Sequence, residues 1–145
     1  MNIALQYLEG EESLFLSNKG NKVYIDEKEY EIIDESGALK EDAIHVFNYV
    51  SVNPASRERF EKRFLNRPKL IEKEKGFLSI RVLRPLTDNT FLILTQWETV
   101  KAFQDWQGSK AYQHAHKKRG TKEGLDQEKG VLSEKPYHLL FKTKK

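Results

Sequence analysis

Two residues ten positions apart carry the clearest chemical signal in this chain. Trp106 and His116 flank a Gly108-Ser109 break in VKAFQDWQGSKAYQHAHKKR. An imidazole can hold a metal or exchange a proton near neutral pH. An indole offers a broad apolar wall. On two short helices around a break, the pair can form the wall and floor of a pocket. A flat aromatic ligand with a metal at its centre fits such a wall. A third residue is Asn48, in IHVFNYVSV. Strand alternation puts Ile44, Val46, Asn48, Val50 and Val52 on one side and His45, Phe47, Tyr49 and Ser51 on the other. A buried amide without partners costs on the order of a few kcal/mol. Asn48 therefore either bonds to a bulge or a neighbouring backbone, or points into a ligand cavity. Taken singly, each of the three has an ordinary account: a helix histidine is more often structural, and an aromatic in an apolar stripe is usually core.

The elements that must position these residues are legible in outline. Phe91–Trp97 is apolar and β-branched or aromatic at nearly every position, as a covered strand requires. Thr99 can cap the helix that follows, whose apolar stripe is Val100, Phe103 and Trp106. After the Gly108-Ser109 break, Lys110–Arg119 resumes as a helix, with Tyr112 and His116 on one face. Ile44–Val52 is a strand. Asn53 and Pro54 open a helix that turns Phe60 and Phe64 inward, and Pro68 ends it. Phe77–Leu83 pairs with Phe91–Trp97 as a hairpin. Residues 120–135 are a Gly- and charge-rich loop, Pro136–Lys142 is the last strand, and the tail Lys142–Lys145 is expected to fray.

From residue 44 onward the order is β, α, β, β, α, β. This is the α+β ferredoxin-like arrangement, an antiparallel sheet with helices on one face. Residues 1–40 hold four short β-type runs separated by turn compositions, ending in a Ser36-Gly37 linker. They are expected to be a strand-rich extension that packs on the main domain, residues 41–145. In covering the sheet's open face they complete a barrel-like pair of sheets within one chain. A monomer is therefore expected rather than a homodimer.

Composition narrows the function. The 145 residues include no cysteine, which excludes thiol catalysis, disulfides and Cys-ligated metal sites. The four histidines, His45, His114, His116 and His138, lack zinc-ligand spacing. Net charge is +3, from 25 basic and 22 acidic residues that interleave along the chain, so a nucleic-acid surface is not expected. Met1–Gly10 lacks a basic start and a long apolar segment, and no run is long enough to span a membrane. The expectation is a cytoplasmic protein with no membrane partner.

The segment ILTQWETVKAFQDWQGSKAYQHAHKKRG resembles the corresponding part of the IsdG-type haem-degrading monooxygenases. These belong to the antibiotic biosynthesis monooxygenase group of ferredoxin-like α+β barrels. The longer stretch from Gly76 to Thr121 is similar to the HmoB-like branch, whose members also carry an N-terminal extension. The resemblance covers roughly residues 44–145, and its specific part is the AFQDW…AHKKRG block. The family's Asn, Trp and His match Asn48, Trp106 and His116 at family spacing. The first forty residues depart from the short dimeric members.

The resemblance implies that haem is both substrate and oxygen-activating cofactor. His116 would ligate the iron, Trp106 would press the porphyrin out of plane, and Asn48 would donate a hydrogen bond on the distal side. The products would be an open-chain tetrapyrrole and free iron. Dioxygen is the co-substrate. Electrons would come from an outside reductase or small reductant, because the chain has no Gly-rich nucleotide fingerprint. Lys117, Lys118 and Arg119 are candidates to neutralise the propionates, with plain surface as the alternative. Trp97 is expected to be a core aromatic, and His114 to face away from His116. Two other classes share the fold: a cofactor-free monooxygenase acting on quinols or polyketides, and a non-enzymatic haem-binding or stress-signalling protein.

Overall fold

The computed structural model describes residues 1–67, 69–109 and 132–145. Four short strands open the chain: β1 (Asn2–Tyr7), β2 (Ser13–Lys19), β3 (Lys22–Ile25) and β4 (Lys28–Ser36). Each pairs antiparallel with the next. The turn after β3 puts Asp26 at φ 53, a left-handed conformation that costs most residues energy. Local hydrogen bonds hold it there: Phe15 N donates to Asp26 Oδ1 at 2.9 Å, and Asp26 N donates to the Phe15 carbonyl at 2.7 Å.

The remaining elements are β5 (Ile44–Ser51), α1 (Arg57–Leu65), β6 (Phe77–Pro85), β7 (Thr90–Trp97), α2 (Val100–Gln107) and β8 (Tyr137–Thr143). Single 3-10 turns at Pro54–Ser56 and Leu70–Lys73 flank α1. The order from residue 44 is the expected ferredoxin-like one. The N-terminal strands join this sheet at both of its edges, β4 onto β6 and β1 onto β8. The result is a closed eight-stranded antiparallel barrel in the order β1-β2-β3-β4-β6-β7-β5-β8. Closure leaves the barrel no unpaired strand edge.

Alternation along each strand divides the apolar side chains between two sides. Ile3, Leu5, Leu16, Phe47, Leu92 and Leu94 fill the barrel interior. Val46, Val50, Phe91, Ile93 and Trp97 point outward, where the helices cover them. Phe60 of α1 meets Phe91 with ring centroids 4.9 Å apart, and Phe103 of α2 meets Trp97 at 5.9 Å. Burying each of these helix phenylalanines contributes roughly 2 kcal/mol. Arg57 ties the start of α1 to the β6–β7 turn, donating to the Pro85 carbonyl at 2.9 Å and the Asp88 carbonyl at 2.7 Å. Arg84 bridges Glu61 of α1 and Glu31 of β4, so the helix is anchored to the N-terminal strands as well.

Beyond Ser36-Gly37 the chain is held to the barrel: Leu39 is buried, and the backbone of Lys40 is held by Gln96 in two hydrogen bonds of 2.8 Å. One sequence expectation is corrected: the C-terminal residues do not fray from Lys142 onward. Strand β8 runs to Thr143, and Lys144 N donates to the Ala4 carbonyl at 2.7 Å. Pairing with β1 fixes this end, and that pairing is invisible in local composition.

Candidate functional site

Asn48 lies mid-strand on the outer face, as alternation requires. It is half-buried, between Val46 and Val50 in its own strand. Its cross-strand partners are Ile93 of β7 and His138 of β8. Val50 belongs to the apolar cluster under α1, and Val46 to the one under α2. The amide therefore sits at the seam between the two helix-covered patches.

Trp106 enters this region from α2. Thr99 Oγ1 accepts a hydrogen bond from Ala102 N at 3.0 Å, so the expected cap is made. The helix ends where the sequence breaks: Gly108 N donates to the Gln104 carbonyl at 3.2 Å and Ser109 Oγ to the Trp106 carbonyl at 2.6 Å. The apolar stripe turns Phe103 and Trp106 toward the barrel. Trp106 is half-buried, 5.7 Å from the Trp97 ring and 6.3 Å from Phe103. It packs against the same cluster as Val46 and Leu140. Trp97 is fully buried, the core aromatic expected.

The structure thus brings Asn48 and Trp106 to one face, linked through Val46. His116, His114, Tyr112, Lys117, Lys118 and Arg119 fall outside the described residues. The described chain stops at Ser109 beside Trp106 and resumes at Leu132, which bridges to Val52 at the far end of β5.

Sequence reasoning missed a polar cluster inside the barrel. His45, the neighbour of Val46 that points inward, is fully buried. Its Nδ1 lies 3.1 Å from Gln96 Nε2, and its Nε2 lies 3.0 Å from Thr143 Oγ1. Gln96 Oε1 accepts from Ser79 Oγ at 2.7 Å. Burial pushes the imidazole down to about 4, against the opposing charge of Asp42. With both ring nitrogens engaged, His45 is a structural group that locks the chain segment after Ser36 onto the barrel. The available signal was a glutamine in a largely apolar strand, Phe91–Trp97. An open depression lined by Asp42, Ile44, Glu98 and Lys142 lies at the start of β5, mixes both charge signs and does not include Asn48.

Residues 43–118, just over half the chain, match the family model described as antibiotic biosynthesis monooxygenase. The chain belongs to this family. It is similar to a heme-degrading monooxygenase of Listeria monocytogenes, 23% identical over 130 residues, which span 88% of this chain and 78% of that protein. A heme-degrading monooxygenase of Halalkalibacterium halodurans is 34% identical over 83 residues, 54% of this chain and 69% of that protein. Among solved structures, one described as a major regulator of staphylococcal pathogenesis covers 100% of this chain and 85% of its own at a TM-score of 0.76. Its 19% identity makes that a likeness of fold. The antibiotic biosynthesis monooxygenase match includes Asn48, Trp106 and the β5–α1–β6–β7–α2 unit that carries the first two.

Proposed function

We propose that this protein binds haem on the outer face of the barrel beside α2 and opens the porphyrin oxidatively, releasing iron. The observation that carries the reading is Asn48: a carboxamide set in an apolar face beside the cluster that includes Trp106. The described residues fit a flat apolar ligand with a polar centre. The half-buried Leu140 and Trp106 supply apolar wall, backed by Val46 and Phe103, and Asn48 supplies one directed polar group. Two relatives named as haem degraders support the same substrate.

Haem, as the substrate, supplies the iron at which dioxygen is activated. Trp106 is backed by Trp97 and Phe103, so its indole is a stiff surface that can bend a macrocycle pressed against it. Asn48 would donate an amide hydrogen bond to the bound ligand from a rigid strand. A preorganised dipole of this kind stabilises charge that builds on a reacting oxygen. His116 would hold the iron through an imidazole nitrogen, and Lys117, Lys118 and Arg119 would offset the propionate charges. Electrons come from an external reductase or small reductant. The chain works as a cytoplasmic monomer of the HmoB-like branch, with residues 1–40 as an extension of a 41–145 catalytic domain.

A second reading is a non-enzymatic haem-binding or signalling protein of the same fold. A third is a cofactor-free monooxygenase. Titrating the purified protein with haemin and then adding ascorbate in air separates them. The proposed enzyme shifts the Soret band on binding and loses it on reduction. A binder shifts the band and keeps it, and a cofactor-free enzyme gives no shift.

A further inference from the structure

We propose that His138 is a further working residue of this face, an imidazole that delivers a proton to the ligand oxygen to which Asn48 donates its hydrogen bond. The proposal rests on the haem-degrading reading above and goes beyond its three residues. His138 stands directly opposite Asn48 across the β5–β8 pair. Side chains so paired have Cβ atoms roughly 5 Å apart on the same face of the sheet. Both therefore address the same side of the sheet. The His138 ring stands edge-on to Phe103, 5.6 Å between centroids at an interplanar angle of 74°. That contact orients the imidazole between the strand and α2. The residue is also exposed, so water can reach it.

The chemistry requires a group of this kind. Monooxygenation places one atom of dioxygen in the substrate and releases the other as water. The reaction consumes two electrons from the external reductant and two protons. Asn48 can donate a hydrogen bond but does not release a proton near neutral pH. An imidazolium at position 138 passes its ring proton to the departing oxygen, is left neutral, and is reprotonated by solvent. The second proton comes from water. Among the described residues, the outer-face neighbours of His138 do not compete for the role. Val46, Asn48 and Val50 face it from β5, Leu140 from β8 and Phe103 from α2, and none of them titrates. The charged residues of α2, Lys101 and Asp105, pair with each other at 2.8 Å on its exposed side. Lys142 of β8 lies opposite Ile44, two outer-face positions beyond.

The test compares haemin-loaded wild type with His138→Gln in single turnovers under excess ascorbate, from acid to alkaline pH. The variant is expected to give the wild-type Soret shift and to turn over about 100-fold more slowly. It is also expected to lose the alkaline fall in rate that a proton donor imposes. A readout without turnover uses gallium protoporphyrin IX, a diamagnetic analogue. Its binding to wild type should move the His138 ring C–H resonance, identified by its disappearance in the variant. Wild-type turnover with an unchanged alkaline limb in His138→Gln overturns the proposal. So does an unmoved resonance, or a variant that no longer binds haemin. If wild type itself gives no Soret shift, the haem reading fails, and that outcome is distinct from a failure confined to His138.

Discussion

Gln96 donates from Nε2 to the Nδ1 atom of His45 across 3.1 Å, and this contact decides which proton the buried imidazole carries. The amide's oxygen is already taken by Ser79 Oγ and Lys40 N, so only its NH₂ group faces the ring. His45 Nδ1 must accept, and the Nε2–H must donate to Thr143 Oγ1. Thr143 in turn donates to the Glu41 carbonyl at 2.6 Å. The neutral ring is thus one link in a chain of bonds that closes one end of the barrel. Protonating Nδ1 would set two donors against each other.

Acid stability follows from this. The folded-state value is depressed to about 4, below the ordinary imidazole value of 6.5. Between those values the unfolded chain binds a proton that the native protein refuses. The contribution of His45 is therefore complete above the unfolded value and is lost as pH falls toward the folded one. It amounts to roughly 3 kcal/mol. Urea unfolding should show stability dropping through that window. In Gln96→Leu, stability at neutral pH should fall by roughly 3 kcal/mol, because the Lys40 backbone and Ser79 lose their partner.

Gly76 controls how closely α2 seats on the barrel. It sits at φ +85, and a Cβ built there would lie 2.5 Å from Ala102 Cβ. Gly76→Ala should cost about 1–3 kcal/mol in a thermal melt and displace α2. Because Trp106 rides on that helix, its fluorescence should change as it moves from Trp97. Adding Ala102→Gly should restore the fluorescence but not the stability, since the φ strain remains and glycine weakens the helix.

Deleting residues 1–36 should remove the monomer. It strips β1–β4, leaving β6 and β8 with open edges and uncovering Phe47, Leu83, Leu92 and Leu94. Unpaired edges over exposed apolar surface associate. Sedimentation should find the full chain at its monomer mass of 17.0 kDa, and the truncated chain as dimers or larger species.

How much of this was legible follows from what local sequence encodes. The shared side of Val46, Asn48 and Val50 and the Thr99 cap rest on period-two alternation and on a single side chain, and both were readable; that this side faces outward was not, because both sides of the strand are apolar. The α2 stripe and its end at Gly108-Ser109 were readable too. Closure of the barrel was only partly readable. The turn-separated runs announced β1–β4, but the β4–β6 and β1–β8 pairings join residues far apart in sequence, which no local period marks. For the same reason Thr143 looked like part of a loose tail, although it holds His45 and the backbone near Glu41. His138 was weighed only as a metal ligand, because its partner Asn48 lies ninety residues earlier and the register that unites them is tertiary.

The most direct test measures iron released from haemin-loaded protein by ascorbate in air, with a ferrous chelator, for wild type and Asn48→Ala side by side. The wild type should release iron as its Soret band disappears. The variant should bind haemin equally well yet release iron at least 10-fold more slowly, since a lost preorganised donor costs on the order of 10²–10³ in rate. Equal release from both proteins would contradict the role given to Asn48, and no release from wild type would contradict the haem-degrading function itself.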